Sequence, residues 1–567
     1  MLKKRAKLVA VSAAGVLGLS LGLAACGGGD GGGSSSKGLV ISYEDPIDHL
    51  DPQRIYVGAV IANTTRLVYR QLVAYPSSTD PEVSGTPVPD LATDTGTSAD
   101  GGKKWSFTVK DGVKWEDGSD ITCEDFAYGA SRNFAADVIT GGPGFYLTQK
   151  LAVDGEYPGP YTATPEQQAA FDKAITCDGK TITYNFKTPW PDFPLAIASL
   201  HMMDPYKESF DKGEKNDDII FSNGPYKVKD WNAQKGGTMV RNAEYDAETD
   251  DKQLREALPE TIEFKYGEKA STTYEKLFSD SPDSQYTIAG QSRVPPEFYP
   301  RLTESGVKDR YVQVESPYVD YLVPNQNQMK DPKIRKALAV ATNVESWIAA
   351  GGGEKAYIPA DSIVNPAVGG YKPNPAYKDR NLAGDPAAAK KLLAEAGAET
   401  PYPITFSYPQ SDTLDKQAAA LAQGWEAAGF KVTLDPLGDV YYSNIQKPSN
   451  KADVMWGGWG ADWPSAMTVT AALFDSRQIE KTSNGQNYGN YKSAEVDKLF
   501  DQAGASATIE EQNKFLQQAD AKLGEDVAYI PLEIAVFNWV YGSKVKNFTT
   551  TDASSSFAEL GGIDVED

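Results

Sequence analysis

Asp415-Lys416-Gln417-Ala418-Ala419-Ala420-Leu421-Ala422-Gln423-Gly424-Trp425-Glu426-Ala427-Ala428-Gly429-Phe430-Lys431-Val432-Thr433-Leu434 is the stretch from which the fold class is read. Leu421 and Trp425 lie one helical turn apart, and Gly429 stops the run as a helix-ending residue. Phe430 to Leu434 then alternates with period two, so a helix over Asp415 to Ala428 feeds a strand, the signature of a mixed α/β protein. Other helices carry similar punctuation. Asp385 reads as an N-cap, Pro386 as the first helical residue, Ala389, Leu392, Leu393 and Ala396 as one face, and Gly397 as the stop. Asp331 to Asn343 sets Ile334, Ala337, Leu338 and Ala341 at helical spacing, and Thr508 with Glu511 predicts a capping box for a helix that buries Phe515, Ala519 and Leu523.

The chain start has another logic. Lys3, Lys4, Arg5 and Lys7 precede an apolar run, Leu8 to Leu23, that is shorter than the roughly 20 residues a membrane span needs. Residues 1–25 therefore read as a signal peptide to be removed. The run ends in Leu23-Ala24-Ala25-Cys26, which resembles a bacterial lipobox, so Cys26 is expected to carry acyl chains and to hold the protein on the outer face of the cell membrane. Residues 26–37, containing GGGDGGGSSS, read as a flexible tether.

Roughly 530 residues then remain, more than one hydrophobic core organises, and two or three α/β domains are expected. The chain has 55 Lys and Arg against 78 Asp and Glu, a net charge of −23, and losing the four leader cations takes −23 to −27. Nucleic acid is an unsuitable partner for such a surface. Two His, His49 and His201, and no Cys cluster argue against a transition-metal site, and no cofactor is expected. Cys123 and Cys177 lie in similar settings in an exported protein, where pairing is expected and two separate buried thiols are the alternative.

A series of short motifs follows in order: Leu50-Asp51-Pro52; Pro89-Asp90-Leu91-Ala92; Lys104-Trp105-Ser106-Phe107; Asp111-Gly112-Val113-Lys114-Trp115-Glu116-Asp117-Gly118; Thr122-Cys123-Glu124-Asp125-Phe126. Ser222-Asn223-Gly224-Pro225-Tyr226, Asp331 to Leu338, Gly384-Asp385-Pro386, Trp459-Gly460-Ala461-Asp462-Trp463-Pro464 and Tyr529-Ile530-Pro531-Leu532 continue it. This collinear set resembles the large extracytoplasmic solute-binding proteins of ABC importers, the oligopeptide- and dipeptide-binding family 5. The resemblance implies a two-lobed periplasmic-binding-protein fold of the type II kind with an extra domain and a ligand cleft between the lobes. It implies a first lobe of 38–80, 200–310 and 530–567, an extra domain of 81–199 and a second lobe of 311–529. It also implies a monomer that captures oligopeptides or dipeptides by closure and passes them to a permease with its ATPase subunits.

Asp111-Gly112 and Asp117-Gly118 read as turns around a strand, with Trp115 as core. Arg335, on an apolar helix, reads as a structural side chain that packs its stem or pairs internally. The site is expected at Met455-Trp456-Gly457-Gly458-Trp459-Gly460-Ala461-Asp462-Trp463, where three indoles among glycines look unlike a regular buried strand and more like a pocket wall. By resemblance, Asp462 binds a peptide α-ammonium, and the main chain of Gly458 and Gly460 pairs with the peptide as with an added strand. Trp456, Trp459 and Trp463 would line the walls. Tyr56-Val57-Gly58 would supply another main-chain contact, and Tyr441, Tyr442 and Asn444 are further candidates. No basic residue for a ligand carboxylate stands out. An oligosaccharide stacked on Trp459 or Trp463 is the alternative ligand, and a lipid-anchored hydrolase is the alternative class; the chain shows neither Gly-x-Ser-x-Gly nor His-Glu-x-x-His.

Overall fold

The computed structural model describes residues 38–217 and 219–566. The expectations for the leader, for Cys26 and for the tether lie outside the described residues. Among the described residues no helix is long and apolar enough to cross a membrane.

Three sheets organise the chain. The first has five strands in the order Thr287–Ala289, Leu39–Tyr43, Thr261–Tyr266, Gly236–Arg241, Tyr226–Asn232. Leu39–Tyr43 runs parallel to both of its neighbours, and its Leu39, Ile41 and Tyr43 join Ile262, Phe264 and Ile288 in a buried core. A second, antiparallel sheet of four strands, Thr97–Ala99, Lys104–Thr108, Thr181–Asn185 and Ile175–Asp178, has its own aromatic core around Trp115, Trp190 and Phe193. Thr122 and Asp125 form a capping box at the start of the helix Cys123–Arg132, and Cys123 is joined by a disulfide to Cys177 on the strand Ile175–Asp178.

The third and largest sheet is built from β1 (Tyr311–Pro324), β2 (Tyr357–Pro359), β3 (Tyr402–Pro409), β4 (Phe430–Leu437), β5 (Val454–Gly460) and β6 (Ile530–Val540). Their spatial order is β2-β6-β1-β5-β3-β4. β3 and β4 are parallel neighbours joined over the helix Asp412–Ala427, a βαβ crossover that buries Ala418, Leu421 and Trp425. This helix begins earlier than the apolar spacing alone indicates, because the Ser411 hydroxyl accepts the Leu414 N–H and leaves Asp412 and Asp415 in the first turn. β6 hydrogen-bonds alongside β1 within this sheet, although the sequence division grouped 530–567 with the first lobe.

Local punctuation is as expected at Asp385, whose carboxylate accepts the Ala387 and Ala388 N–H groups ahead of the helix Pro386–Glu395, and at Gly397, where φ is +67°. Thr508 caps the helix Ile509–Glu525 through the Glu511 N–H, but Leu516 is buried with Ala519 and Leu523 while Phe515 sits at the edge. Arg335 donates to the carbonyls of Met329, Lys330 and Asp526 and is structural. Gly112 and Gly118 take φ of +76° and +82°, and Trp115 is buried and stacks on Phe221; between the turns there is one bridge, Lys114 to Asp120, and no strand.

One expectation fails here. Val454–Gly460 is a regular strand, paired with β1 over its whole length from Val454↔Pro324 to Gly460↔Tyr318. Its glycines accommodate the chain's own aromatics: a Cβ on Gly457 would stand 2.8 Å from the Tyr321 ring, and one on Gly460 would stand 2.6 Å from Tyr318. The cross-strand rings of Tyr321 and Tyr318 thus pack beside Gly457 and Gly460 on the faces of the sheet.

Candidate ligand site

β5 carries the backbone of the site. On its β3 side the ladder covers only Val454 and Met455, leaving Trp456–Gly460 with an open edge, where the Tyr441 hydroxyl takes the Trp456 carbonyl at 2.5 Å. At the end of the strand the chain turns through Ala461 and Asp462. The Asp462 N–H donates to Thr468 Oγ1 at 3.2 Å and the Trp459 indole donates to the Thr468 carbonyl at 2.8 Å, so one threonine holds the loop on both sides.

The Asp462 carboxylate accepts a hydrogen bond from the Tyr56 hydroxyl at 2.8 Å on Oδ1 and from the Tyr146 hydroxyl on Oδ2. Burial pushes this carboxyl up to about 6, against the lowering effect of the two tyrosines. Burial and the neighbouring carboxylate raise both phenols, so they remain donors. Among the described residues no cation pairs with Asp462.

Asp462 lines a cleft of about 310 Å3 that gathers residues from distant parts of the chain: Tyr56, Gly58 and Ile61, then Ser199 and Leu200, Pro317 and Tyr318, Gly458 to Pro464, and Asp552, Ala553 and Ser555. A second acid, Asp552, is raised by burial. Gly458 and Tyr318 also line a larger adjoining cavity of about 760 Å3, with Arg293, Asp320, Tyr357, Gln417, Trp456 and Phe537 among its walls. Arg293 stacks over Phe537, 4.4 Å from the ring centroid, and is, among the described residues, the one basic residue lining either space.

The residues expected at the site separate into two groups. Asp462, Trp459, Gly458, Gly460, Tyr56 and Gly58 line the cleft together, and Trp456 lines the larger cavity. Trp463 touches the cleft but is 2 % exposed, donates to Asp192 at 2.7 Å and packs edge-on against Tyr146, so it is mainly core. Val57 lines a different surface hollow, and its carbonyl is taken by the N–H groups of Val60 and Ile61; Tyr56 contributes its hydroxyl instead of its backbone. Tyr441 is buried core, Tyr442 is exposed beside it, and Asn444 contacts Lys447; none of the three lines either cavity. Tyr146, Tyr318, Asp552, Asp320 and Arg293 were missed. Nothing local marks them, since Tyr146 lies 316 residues from the acid it contacts.

An acid in an aromatic cleft beside an open strand edge is an arrangement suited to a solute-binding protein. The chain belongs to the bacterial extracellular solute-binding proteins, family 5, whose middle-region model matches residues 86–481. The oligopeptide-binding protein OppA of Bacillus subtilis (strain 168) is 25% identical over 566 residues, covering 96% of this chain and 97% of that protein. The probable deoxycholate-binding periplasmic protein YgiS of Escherichia coli (strain K12) is 24% identical over 447 residues, covering 76% and 77%. Among solved structures, a clavulanic acid biosynthesis oligopeptide binding protein 2 superposes with a TM-score of 0.84 at 24% identity, covering 94% of this chain and 95% of that one.

Proposed function

We infer that this protein captures peptides outside the cytoplasm for an ABC importer, binding the ligand's α-ammonium at Asp462. One observation carries the reading: Asp462 is a half-buried carboxylate that, among the described residues, meets only neutral hydroxyl donors, Tyr56 and Tyr146. An ammonium supplies charge-assisted hydrogen bonds that replace lost hydration better than a phenol does. The open edge Trp456–Gly460 suits a peptide main chain added as a strand, a contact common to all sequences. Arg293, across the larger cavity, is the group suited to the far carboxylate.

Two lobes, 38–80 with 200–310 and 530–567 against 311–529, close on the ligand, with 81–199 as the extra domain and β1 and β6 as the crossing segments. Closure works only if the ligand binds the closed form better. The protein acts as a monomer without catalysis, anchored through Cys26 and delivering to a permease with its ATPase subunits. An anionic ligand such as a bile acid fits poorly beside Asp462 and Asp552, and an oligosaccharide has no charge to offer them.

Calorimetry on the purified protein tests this. A free-amine peptide should bind more tightly than its N-acetylated form, and Asp462→Asn should abolish the difference; equal affinity for both forms in the unaltered protein removes Asp462 from the site. Steady release of cleavage products from peptides or oligosaccharides would replace the binding reading with a hydrolase.

A further inference from the structure

β1 and β6 set two acids side by side beneath the larger cavity. Asp320 and Glu533 are cross-strand partners, and on the other flank of β1 Asp320 faces Gly458, where an added Cβ would stand 2.8 Å from Asp320 Oδ1. Like charges placed directly opposite destabilise a sheet, so the pair is a cost to the fold. Among the described residues neither acid has a Lys, Arg or His nitrogen within 4.0 Å.

Glu533 is 1 % exposed; Gln417 donates to its Oε1 at 3.5 Å, and its Oε2 has no hydrogen-bond partner. Unless it shares a proton with Asp320 that oxygen is unsatisfied, and an unsatisfied buried carboxylate oxygen costs more than any neutral polar group in the same place. Asp320 lines the cavity while Glu533, its cross-strand partner, does not, and the walls Trp456, Tyr357, Phe537 and Leu414 are apolar enough for a long aliphatic stem.

We propose that the larger cavity is a side-chain subsite for a cationic residue of the bound peptide, lysine- or arginine-like, whose head is taken by Asp320 with Glu533 behind it. The inference rests on the peptide reading of the Asp462 cleft and says which peptides that cleft prefers. Gly458 lines both spaces and lies on β5 two residues before its end at Gly460, where the chain turns to Asp462. A peptide held by its ammonium at Asp462 and running along β5 brings one of its later residues beside Asp320, the partner of Gly458. A neutral side chain there leaves the acids with their shared proton, and an acidic one meets two further carboxyls, so selectivity comes from a penalty as well as an attraction.

The acids hold a proton near neutrality. Burial pushes Asp320 up to about 7 in spite of Arg293, and burial together with Asp320 raises Glu533. The other groups facing the pair are the phenols of Tyr321, Tyr357 and Tyr442, the Trp347 indole and the Gln417 amide, none of which carries charge at this pH. A ligand ammonium takes the place of the shared proton, which passes to the buffer.

The test is calorimetry on the purified protein at pH 7.5 with tetraalanine and with tetraalanines in which lysine or norleucine replaces one residue at a time. Two buffers of different ionisation heat report proton release. At one position lysine should bind about tenfold tighter than norleucine, with proton release that norleucine does not give. Asp320→Asn should remove both effects and leave tetraalanine binding intact, whereas Asp462→Asn should weaken every peptide alike. If Asp320→Asn fails to fold, proton release by the unaltered protein carries the test. Equal binding of lysine and norleucine at every position, with tetraalanine still bound, overturns the subsite and spares the peptide reading. Persistence of the lysine preference in Asp320→Asn overturns it too, and failure of every peptide to bind overturns both readings together.

Discussion

Asp90 and Asp462 are both withdrawn from bulk water, and they sit in opposite electrical surroundings. Asp90 accepts from Arg70 at 2.8 Å and from Arg255 at 2.6 Å, with Asp250 completing the cluster. Burial pushes its carboxyl up, and the two guanidinium groups more than reverse this, holding it well below the usual carboxylate range. Asp51 is built the same way, fully buried on Arg132 with Asp211 on that arginine's other side. Asp462 and Asp320 have no such partner and are raised. Asp90 and Asp51 thus find their cations within the chain, whereas Asp462 and Asp320, the acids we assign to a ligand, lack one among the described residues; Asp520, buried on Tyr529 and Ser362 and likewise raised, shows that a frame acid can also do without.

That contrast can be attacked from the frame side first, where the effect is largest. Asp90→Asn leaves Arg70 and Arg255 buried beside a neutral amide, and urea unfolding should show a loss of about 3–5 kcal/mol. A loss under 1 kcal/mol would mean the cluster is no frame at all. Asp462→Asn should instead leave the fold intact and cost about 2–5 kcal/mol in affinity for a free-amine peptide. In the unaltered protein the same affinity should decline as pH falls through about 6, when the acid takes a proton and no longer attracts an ammonium. A pH-independent affinity between 5 and 8 contradicts that assignment.

The third measurement concerns stability against pH. Asp320 is raised in the folded state from 3.8 to about 7, so the folded protein binds more protons than the unfolded chain between those values. The protonated acid's contribution is fully present below pH 3.8 and is lost as pH rises through about 7. Asp320→Asn should therefore stabilise the protein at pH 8, by about 1–2 kcal/mol given that one pKa unit is worth about 1.4 kcal/mol, and should leave it unchanged at pH 4. Thermal unfolding at the two pH values decides it. The smallest effect belongs to Asp111, an exposed acid paired with Lys180 at the surface: Asp111→Asn should change stability by less than about 0.5 kcal/mol in the same unfolding assay.

Much of the frame was legible because its marks are local. Asp385, Pro386 and Gly397 act within one helix, and the turns at Gly112 and Gly118 act within a few residues. The family motifs proved to be frame as well: Asp51 and Asp90 anchor ion clusters, and Asn223 accepts the Arg70 N–H at 2.7 Å. Asp462 was legible through its setting among tryptophans and glycines. Its tyrosine partners were not, since Tyr56 and Tyr146 approach it only through the folded topology. The strand form of β5 was misread because a glycine in sequence says that space is needed and not what fills it; Tyr318 and Tyr321, on a neighbouring strand, pack beside Gly460 and Gly457, while Gly458 and Gly460 still line the cleft. The Asp320–Glu533 pair depends on the register of β1 against β6, which shifts twice along their length.

The bridge between Cys123 and Cys177 closes a segment that contains Tyr146, one of the two hydroxyls on Asp462. Reduction with dithiothreitol frees both ends of that segment and with them the tether on the tyrosine. Affinities gathered with and without reductant therefore describe two differently constrained molecules, and a cytoplasmic overexpression that leaves these thiols open yields the looser one.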